Sequence, residues 1–270
     1  MGVAIETERL SFGYGAEALT LDGVSLTVQP GRVCCLLGRN GAGKTTVLRC
    51  LLGLLTPQSG TVRIGGRELH RLSRRALARQ IAYVPQRTGS PFPFSTLDIA
   101  VTGRTPHVSP LSSPSSADRR AAAAVLDRLG IGALADRPFS VLSGGERRLA
   151  LIARAMVQDA PVLVLDEPTA ALDYGNEARV LQVVAELARS GRTVLMTTHQ
   201  PWHALLCGDQ AVLLRDGRVA ADGPPSEVVT TPRLSEFYGV PVRVLAEVDP
   251  VSGSPVYACV PVLENRTERR

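Results

Sequence analysis

The sequence predicts an α/β fold in which a parallel central sheet is interrupted by an inserted helical segment. Three observations predict it. Short apolar runs such as Val33-Cys34-Cys35-Leu36-Leu37 and Val162-Leu163-Val164-Leu165 read as strands buried on both faces, the pattern of a parallel sheet covered by helices. Helix-patterned stretches alternate with such runs near both ends of the chain, as crossovers between parallel strands require. From about residue 87 to residue 160 the strand pattern gives way to helical ones.

In chain order, residues 25–28 alternate in polarity and Pro30-Gly31 turns the chain into the run at 33–37. A glycine-rich stretch at 38–43 precedes a helix expected over 44–55 and closed by Thr56-Pro57. Short strands are expected at 61–64 and 81–84. Pro, Ser and Gly are dense over 88–93 and over 105–116, the latter read as an exposed loop, and helices are expected over 117–129 and 143–158. A strand at 162–166, a helix at 175–189 and strands at 193–198 and 211–215 follow, with a turn at Asp216-Gly217. Residues from about 241 onward carry no motif and read as a small extension.

Composition excludes several classes. A chain of 270 residues that is 44% hydrophobic can bury a sizeable core and is not mainly disordered. No apolar run approaches the roughly 18 to 20 residues of a bilayer span. Glu6 and Glu8 stand where an export signal carries basic and then apolar residues, so neither a membrane span nor an export signal is expected. The five cysteines, Cys34, Cys35, Cys50, Cys207 and Cys259, are odd in number and form no C-x-x-C pair, which favours reduced thiols over a disulfide framework or zinc site. The net charge of +5 is spread along the chain and only 4% of residues are aromatic, so no nucleic-acid partner is expected. Of the 30 basic residues a single one, Lys44, is lysine. It stands in GRNGAGKTT, where a compact point charge must enter a tight loop that a planar guanidinium does not fit.

Gly38-Arg39-Asn40-Gly41-Ala42-Gly43-Lys44-Thr45 satisfies G-x-x-x-x-G-K-[ST] between a predicted strand and a predicted helix. The glycines let backbone N–H groups wrap a phosphate chain, and the helix N-terminus adds its dipole. Lys44 then reaches the β- and γ-phosphates, and Thr45 offers a hydroxyl to Mg²⁺. The strand at 162–165 ends in Asp166-Glu167, and the C-terminal strand ends of a parallel sheet line the ligand crevice. Neighbouring side chains point differently, so Asp166 suits the metal shell and Glu167 suits a general base acting on water. Ser143 and Glu146 form an S-x-x-E capping box. Gly144 and Gly145 in the first turn cost about 1 kcal/mol each against alanine, and read as bare amides for a second anion.

Together these residues resemble the ATP-binding cassette (ABC) transporter ATPases. Walker A falls at Gly38 to Thr45, the Gln-loop at Gln86, the signature at Leu142-Ser143-Gly144-Gly145-Glu146, Walker B at Asp166-Glu167, the D-loop at Ala171-Leu172-Asp173, and the switch histidine at His199 in Thr197-Thr198-His199. Tyr14, in Phe12-Gly13-Tyr14-Gly15, matches the aromatic that stacks on adenine. The resemblance implies a P-loop NTPase core with a parallel central sheet, an antiparallel β subdomain and an inserted helical subdomain. It implies a nucleotide-binding domain over residues 1–240, with the helical subdomain at about 88–160 inserted in a RecA-like core, and a C-terminal extension over 241–270.

By the same resemblance, ATP is bound by Tyr14, Gly38, Arg39, Asn40, Gly41, Ala42, Gly43, Lys44, Thr45 and Thr46, and Mg²⁺ by Thr45, Gln86 and Asp166. Glu167, His199, Gln86 and Lys44 are the implied catalytic groups. Two copies pair head to tail, so that Ser143, Gly144, Gly145 and Glu146 of one face the nucleotide of the other and Asp173 links the two sites. The implied partners are a second copy, integral-membrane permease subunits docking near residues 87–110 and, indirectly, a substrate-binding protein, with the chain peripheral on the cytoplasmic face. Arg39 where proline is common, Thr45 for serine and Glu146-Arg147 for the usual glutamine remove no catalytic group, so an active ATPase is expected.

Smaller motifs resemble ATPase subunits of importers for iron–siderophore complexes, haem and cobalamin. They are Gly103-Arg104-Thr105-Pro106-His107, Leu172-Asp173-Tyr174-Gly175-Asn176 and Thr198-His199-Gln200-Pro201. The expectation is uptake of an iron(III)–siderophore complex, with haem, cobalamin or an exporter role as alternatives. A ribosome- or DNA-acting ABC protein is the alternative of another class, against which a single cassette without heptads speaks. His70, His107 and His203 match no motif and are assigned no role.

Overall fold

A computed structural model describes residues 2–15, 19–86, 94–109 and 112–263. The order begins with β1 (Ile5–Phe12), β2 (Leu21–Val28), β3 (Val33–Gly38), α1 (Lys44–Leu51), β4 (Ser59–Ile64), β5 (Arg67–Glu68), α2 (Arg74–Ala78) and β6 (Ile81–Val84). Three helices follow, α3 (Thr96–Val101), α4 (Ser116–Arg128) and α5 (Gly144–Val157). The chain then returns to alternation with β7 (Val162–Leu165), α6 (Tyr174–Arg189), β8 (Thr193–Thr198), α7 (Trp202–Cys207), β9 (Gln210–Arg215) and β10 (Arg218–Gly223). It continues through α8 (Pro225–Val228), α9 (Thr231–Tyr238), β11 (Val242–Val248) and β12 (Pro255–Pro261).

Among the described residues the strands form three sheets. The central one has the order β10-β9-β3-β8-β7-β6, and an antiparallel one the order β2-β1-β4-β5. Strands β9, β3, β8, β7 and β6 run parallel, and β10 closes the edge antiparallel to β9. That edge departs from an all-parallel sheet because Asp216 (φ 49°) and Gly217 (φ 73°) both take left-handed conformations, the requirement of a two-residue hairpin turn. The third sheet is the hairpin β11-β12, which packs on α9 and α7.

Alternation along the central strands divides the core in two. Val33, Cys35, Leu37, Leu163, Leu165, Val194 and Met196 face the cluster that includes α5 and α6. Cys34, Leu36, Val162, Val164 and Leu195 face the cluster shared with α1 and the antiparallel sheet. A strand buried on both faces keeps a continuous apolar run. Its register is therefore fixed by which residues fit which side. The strand ends that carry Gly38, Asp166 and Thr198 are brought to one edge of this double-faced sheet by the parallel pairing of β3, β8 and β7.

Helix α1 stops at Leu51, short of the expected 55, because Gly53 adopts φ 65° and the amides of Leu54 and Leu55 turn back to the Arg49 carbonyl. The segment 88–93, and Pro110 and Leu111 within the expected loop 105–116, lie outside the described residues, as does part of the expected docking segment 87–110. Next to it, Arg75 and Arg79 donate to the carbonyls of Pro106 and Val108, fixing that stretch to α2. No helix among the described residues is long and apolar enough to cross a membrane.

Candidate functional site

Strand β3 delivers Gly38 into a loop that closes on α1. Gly43 caps α1 at φ 102°, and a Cβ there would lie 2.8 Å from Leu21 Cδ2, so only glycine turns the chain into the helix at this point. Lys44 is 6% exposed. Its Nζ donates to the carbonyls of Gly38 (2.7 Å) and Arg39 (3.3 Å) and lies 3.8 Å from Glu167 Oε1. Burial lowers the pKa of this ammonium, and Glu167 and Asp166 draw it back up. The loop thus keeps a cation among acceptors that an anion can replace.

At the end of β7 the two carboxylates separate. Asp166 is buried and accepts from Thr197 Oγ1 at 2.7 Å on the neighbouring strand. Glu167 sits at φ 44°, a left-handed conformation that costs about 1 kcal/mol for a residue with a Cβ. Its N–H donates to the same Thr197 Oγ1 at 2.9 Å. The turn carries its side chain to the cleft wall, where Gln86 Nε2 donates to Oε2 at 2.7 Å and His199 Nδ1 lies 3.7 Å from Oε2. A cleft of about 480 Å³ opens here. It is lined by Tyr14, Thr20, Arg39, Asn40, Gly41, Gly43, Lys44, Thr45, Thr46, Gln86 and Glu167.

Tyr14 stands exposed at the rim. Its ring meets Phe12 edge-on at 5.0 Å, its hydroxyl accepts from Arg49 Nη1 at 3.1 Å, and it lies 3.4 Å from Thr46 Oγ1. One ring face is therefore held beside the loop with a flat apolar surface to offer. Gly38 and Ala42 belong to the loop without lining the cleft.

Ser143, Gly144, Gly145, Glu146 and Asp173 do not line this cleft. Ser143 caps α5 with Glu146 in a reciprocal box: Glu146 N–H donates to Ser143 Oγ (3.3 Å) and Ser143 N–H to Glu146 Oε2 (2.8 Å). These bonds hold the Glu146 carboxyl below its ordinary range. Gly144 faces open space, whereas the place of the absent Gly145 side chain is taken by the Asn176 amide. Asn176 in turn donates to Asp173 from its backbone N–H and from Nδ2, both at 2.8 Å. Asn176 thus fills the side-chain direction of Gly145, while Gly144 is open on that side.

Sequence reasoning missed three contributors. Thr197 receives no role from the motif that contains it, yet it orients both carboxylates. Arg148, 7% exposed on α5, donates to the carbonyls of Pro85 (2.7 Å) and Gln86 (2.8 Å) and so fixes the segment from which Gln86 reaches Glu167. Thr20 lines the cleft from the start of β2. A buried arginine one turn into a capped helix was the only available signal, and it names no partner.

A phosphate loop at the edge of a parallel sheet, a carboxylate pair at the end of a strand two places along it and a second capped helix start define a nucleoside triphosphatase of the phosphate-loop class. The pattern of the ABC transporter family matches residues 21–170. The hemin import ATP-binding protein of Nocardia farcinica is 41% identical over 242 residues, 90% of this chain and 83% of that protein. The iron(3+)-hydroxamate import ATP-binding protein of Bacillus subtilis is 30% identical over 98% of both chains. Among solved structures, a transporter described as being of metal-chelate type, in an inward-facing conformation, superposes with a TM-score of 0.85 at 33% identity, covering 97% of this chain and 98% of that one. The chain belongs to the ABC transporter family and is an ATP-binding, ATP-hydrolysing member of it.

Proposed function

We propose that the chain hydrolyses MgATP as the peripheral ATPase of an importer, working as a head-to-tail pair on the cytoplasmic face of a membrane permease. The observation that carries this reading is the convergence of Lys44, Gln86 and His199 on the Glu167 carboxylate at the mouth of the phosphate-loop cleft. Glu167 acts as general base on the attacking water: Gln86 Nε2–H orients the carboxylate, and the Lys44 ammonium lies 3.8 Å from its other oxygen. Lys44 exchanges its carbonyl partners for phosphate oxygens, and the α1 amides hold the chain of phosphates. His199, beside Glu167, donates to the γ-phosphate.

The donors at the cleft fit Mg²⁺. The Thr45 hydroxyl and the Gln86 amide oxygen line the cleft, and the Asp166 carboxylate at the end of β7 is buried beside Glu167; all three are hard oxygen ligands. When bound, the ion neutralises phosphate charge. Ser143 and the amides of Gly144 and Gly145 approach the partner copy's nucleotide, Glu146 keeps that helix start capped, and Asp173 bridges the two sites. Gly38, Arg39, Asn40, Gly41, Ala42, Gly43 and Thr46 shape the phosphate cradle, and Tyr14 stacks on the base.

The cargo is an iron(III)–siderophore complex, delivered through a substrate-binding protein. Relatives that import hemin or iron(3+)-hydroxamate support a chelate, and haem and cobalamin are the competing cargoes. Glu167→Gln tests the reading. ATP binding stays within about twofold while hydrolysis falls by roughly three orders of magnitude. Cells carrying that variant lose uptake of the labelled ferric siderophore. Retained turnover removes Glu167 as base; uptake lost for haem or cobalamin instead reassigns the cargo.

A further inference from the structure

His203 is fully buried at the start of α7, and both of its ring nitrogens are engaged. Nε2 lies 2.9 Å from Glu177 Oε1 and Nδ1 lies 2.8 Å from Thr198 Oγ1. A carboxylate accepts only, so Nε2 carries the proton, and Nδ1 accepts from the Thr198 hydroxyl. Thr198 Oγ1 also accepts the N–H of Gln200 at 3.1 Å. Glu177 is 5% exposed, its N–H donates to the Asp173 carbonyl at 2.8 Å, and the Thr169 hydroxyl bonds its carboxyl.

Around one imidazole, then, are pinned the residue before His199, the helix start after Asp173 and the segment two residues past Glu167. A buried neutral imidazole needs a partner at each nitrogen; what distinguishes this one is where those partners sit. Here the two nitrogens join the end of β8, next to His199, to the first turn of α6, capped by Asp173.

We infer that His203 is a positioning residue for hydrolysis: by bonding Thr198 with one nitrogen and Glu177 with the other, it fixes His199 beside Glu167 and ties that position to the loop carrying Asp173. This rests on the proposed role of His199. Removing either bond takes away the side-chain anchor beside His199, while the ladder between β8 and β3 keeps the strand that carries the phosphate loop in place. The cost therefore falls on turnover and spares nucleotide affinity.

The test uses the purified full chain and measures kcat, KM and ATP Kd for His203→Leu and Thr198→Val, each also in a His199→Ala background. Thr198→Val is nearly isosteric and carries the test if His203→Leu does not fold. The expected result is a loss in kcat of about tenfold or more with KM and Kd within about twofold, and less than about twofold further loss when His199 is already alanine. Glu177→Gln, whose amide oxygen still accepts from Nε2, recovers turnover relative to Glu177→Ala. Unchanged kcat in folded variants, or losses that multiply with His199→Ala, overturns the proposal and leaves His203 a stabilising core residue. Wild-type turnover in His199→Ala alone removes the role of His199 itself, a failure of the premise that a separate arm reads.

Discussion

Replacing Gly145 by alanine builds a methyl carbon 2.4 Å from Asn176 Cγ and 2.6 Å from its Nδ2. The obstruction is the end of a side chain, so the relief is rotation of Asn176 about its χ angles. That rotation gives up the Nδ2 bond to Asp173 and keeps the backbone one. The lost bond is exposed and is worth about 1 kcal/mol, and an off-rotamer Asn176 adds about 1 kcal/mol. Against this, alanine for glycine inside α5 returns about 1 kcal/mol of helix propensity. The net destabilisation is about 1 kcal/mol, a drop in Tm of roughly 2–4 °C for a chain of this size. ATP turnover falls further than stability does, because Asp173 loses its support. Thermal melts of Gly145→Ala, Asn176→Ala and the double variant close the cycle. With Asn176 cut back the methyl fits, and the double variant melts at or above Asn176→Ala. A loss beyond about 3 kcal/mol that persists in the double variant would place the clash in the backbone and refute the reasoning.

Three further outcomes follow from the geometry. Arg148→Met strips two carbonyls of a buried donor and leaves Gln86 unsupported, so stability drops by about 2–4 kcal/mol and hydrolysis falls more than ATP binding; Arg148→Lys does not rescue, since a point charge cannot span both carbonyls. Burial, reinforced by the His199 charge, pushes the His203 pKa down to about 4 from the ordinary 6.5. The unfolded chain then takes up that proton first, so the stability present above about pH 6.5 is lost as pH falls towards 4, by up to about 3 kcal/mol. Glu177, which burial raises, binds its proton first in the folded chain and offsets part of that loss. Denaturation curves across this window flatten in His203→Gln if the histidine is responsible. Finally, Cys34, Cys35 and Cys50 are buried, and burial raises the Cys50 and Cys259 thiols to about 11, so maleimide at neutral pH labels fewer than two thiols per native chain and all five after denaturation.

Much of this arrangement was legible before any coordinates, and the reason is local. Strands β7 and β8 are short apolar runs whose bounds follow from the change to Asp166 at one end and Gly191-Arg192 before the other. The phosphate loop is legible because its spacing is dictated by one ligand. What escaped is non-local. Helices α3 and α7 have six residues each, too few for a 3.6-residue period to declare itself, and exist because the Ser95–Asp98 capping box and tertiary packing hold them. Strand β1 hides its alternation behind register shifts near Arg9, itself at φ 45°. His203 finds its partners 5 and 26 residues away and Arg148 finds its own 62 and 63 residues away, distances at which a side chain in the sequence gives no sign of what it will touch.

The burial of Lys44 has a practical corollary. It is the chain's single lysine, 6% exposed, and it opens α1. A lysine-specific protease therefore has one bond to cut, and reaches it only when the loop and the first turn of that helix come apart. Cleavage rate becomes a meter of that opening, free of competing sites. Any nucleotide that fills the cleft slows the cut by the factor 1 + [L]/Kd, so affinity can be read from a gel without label or coupled enzyme.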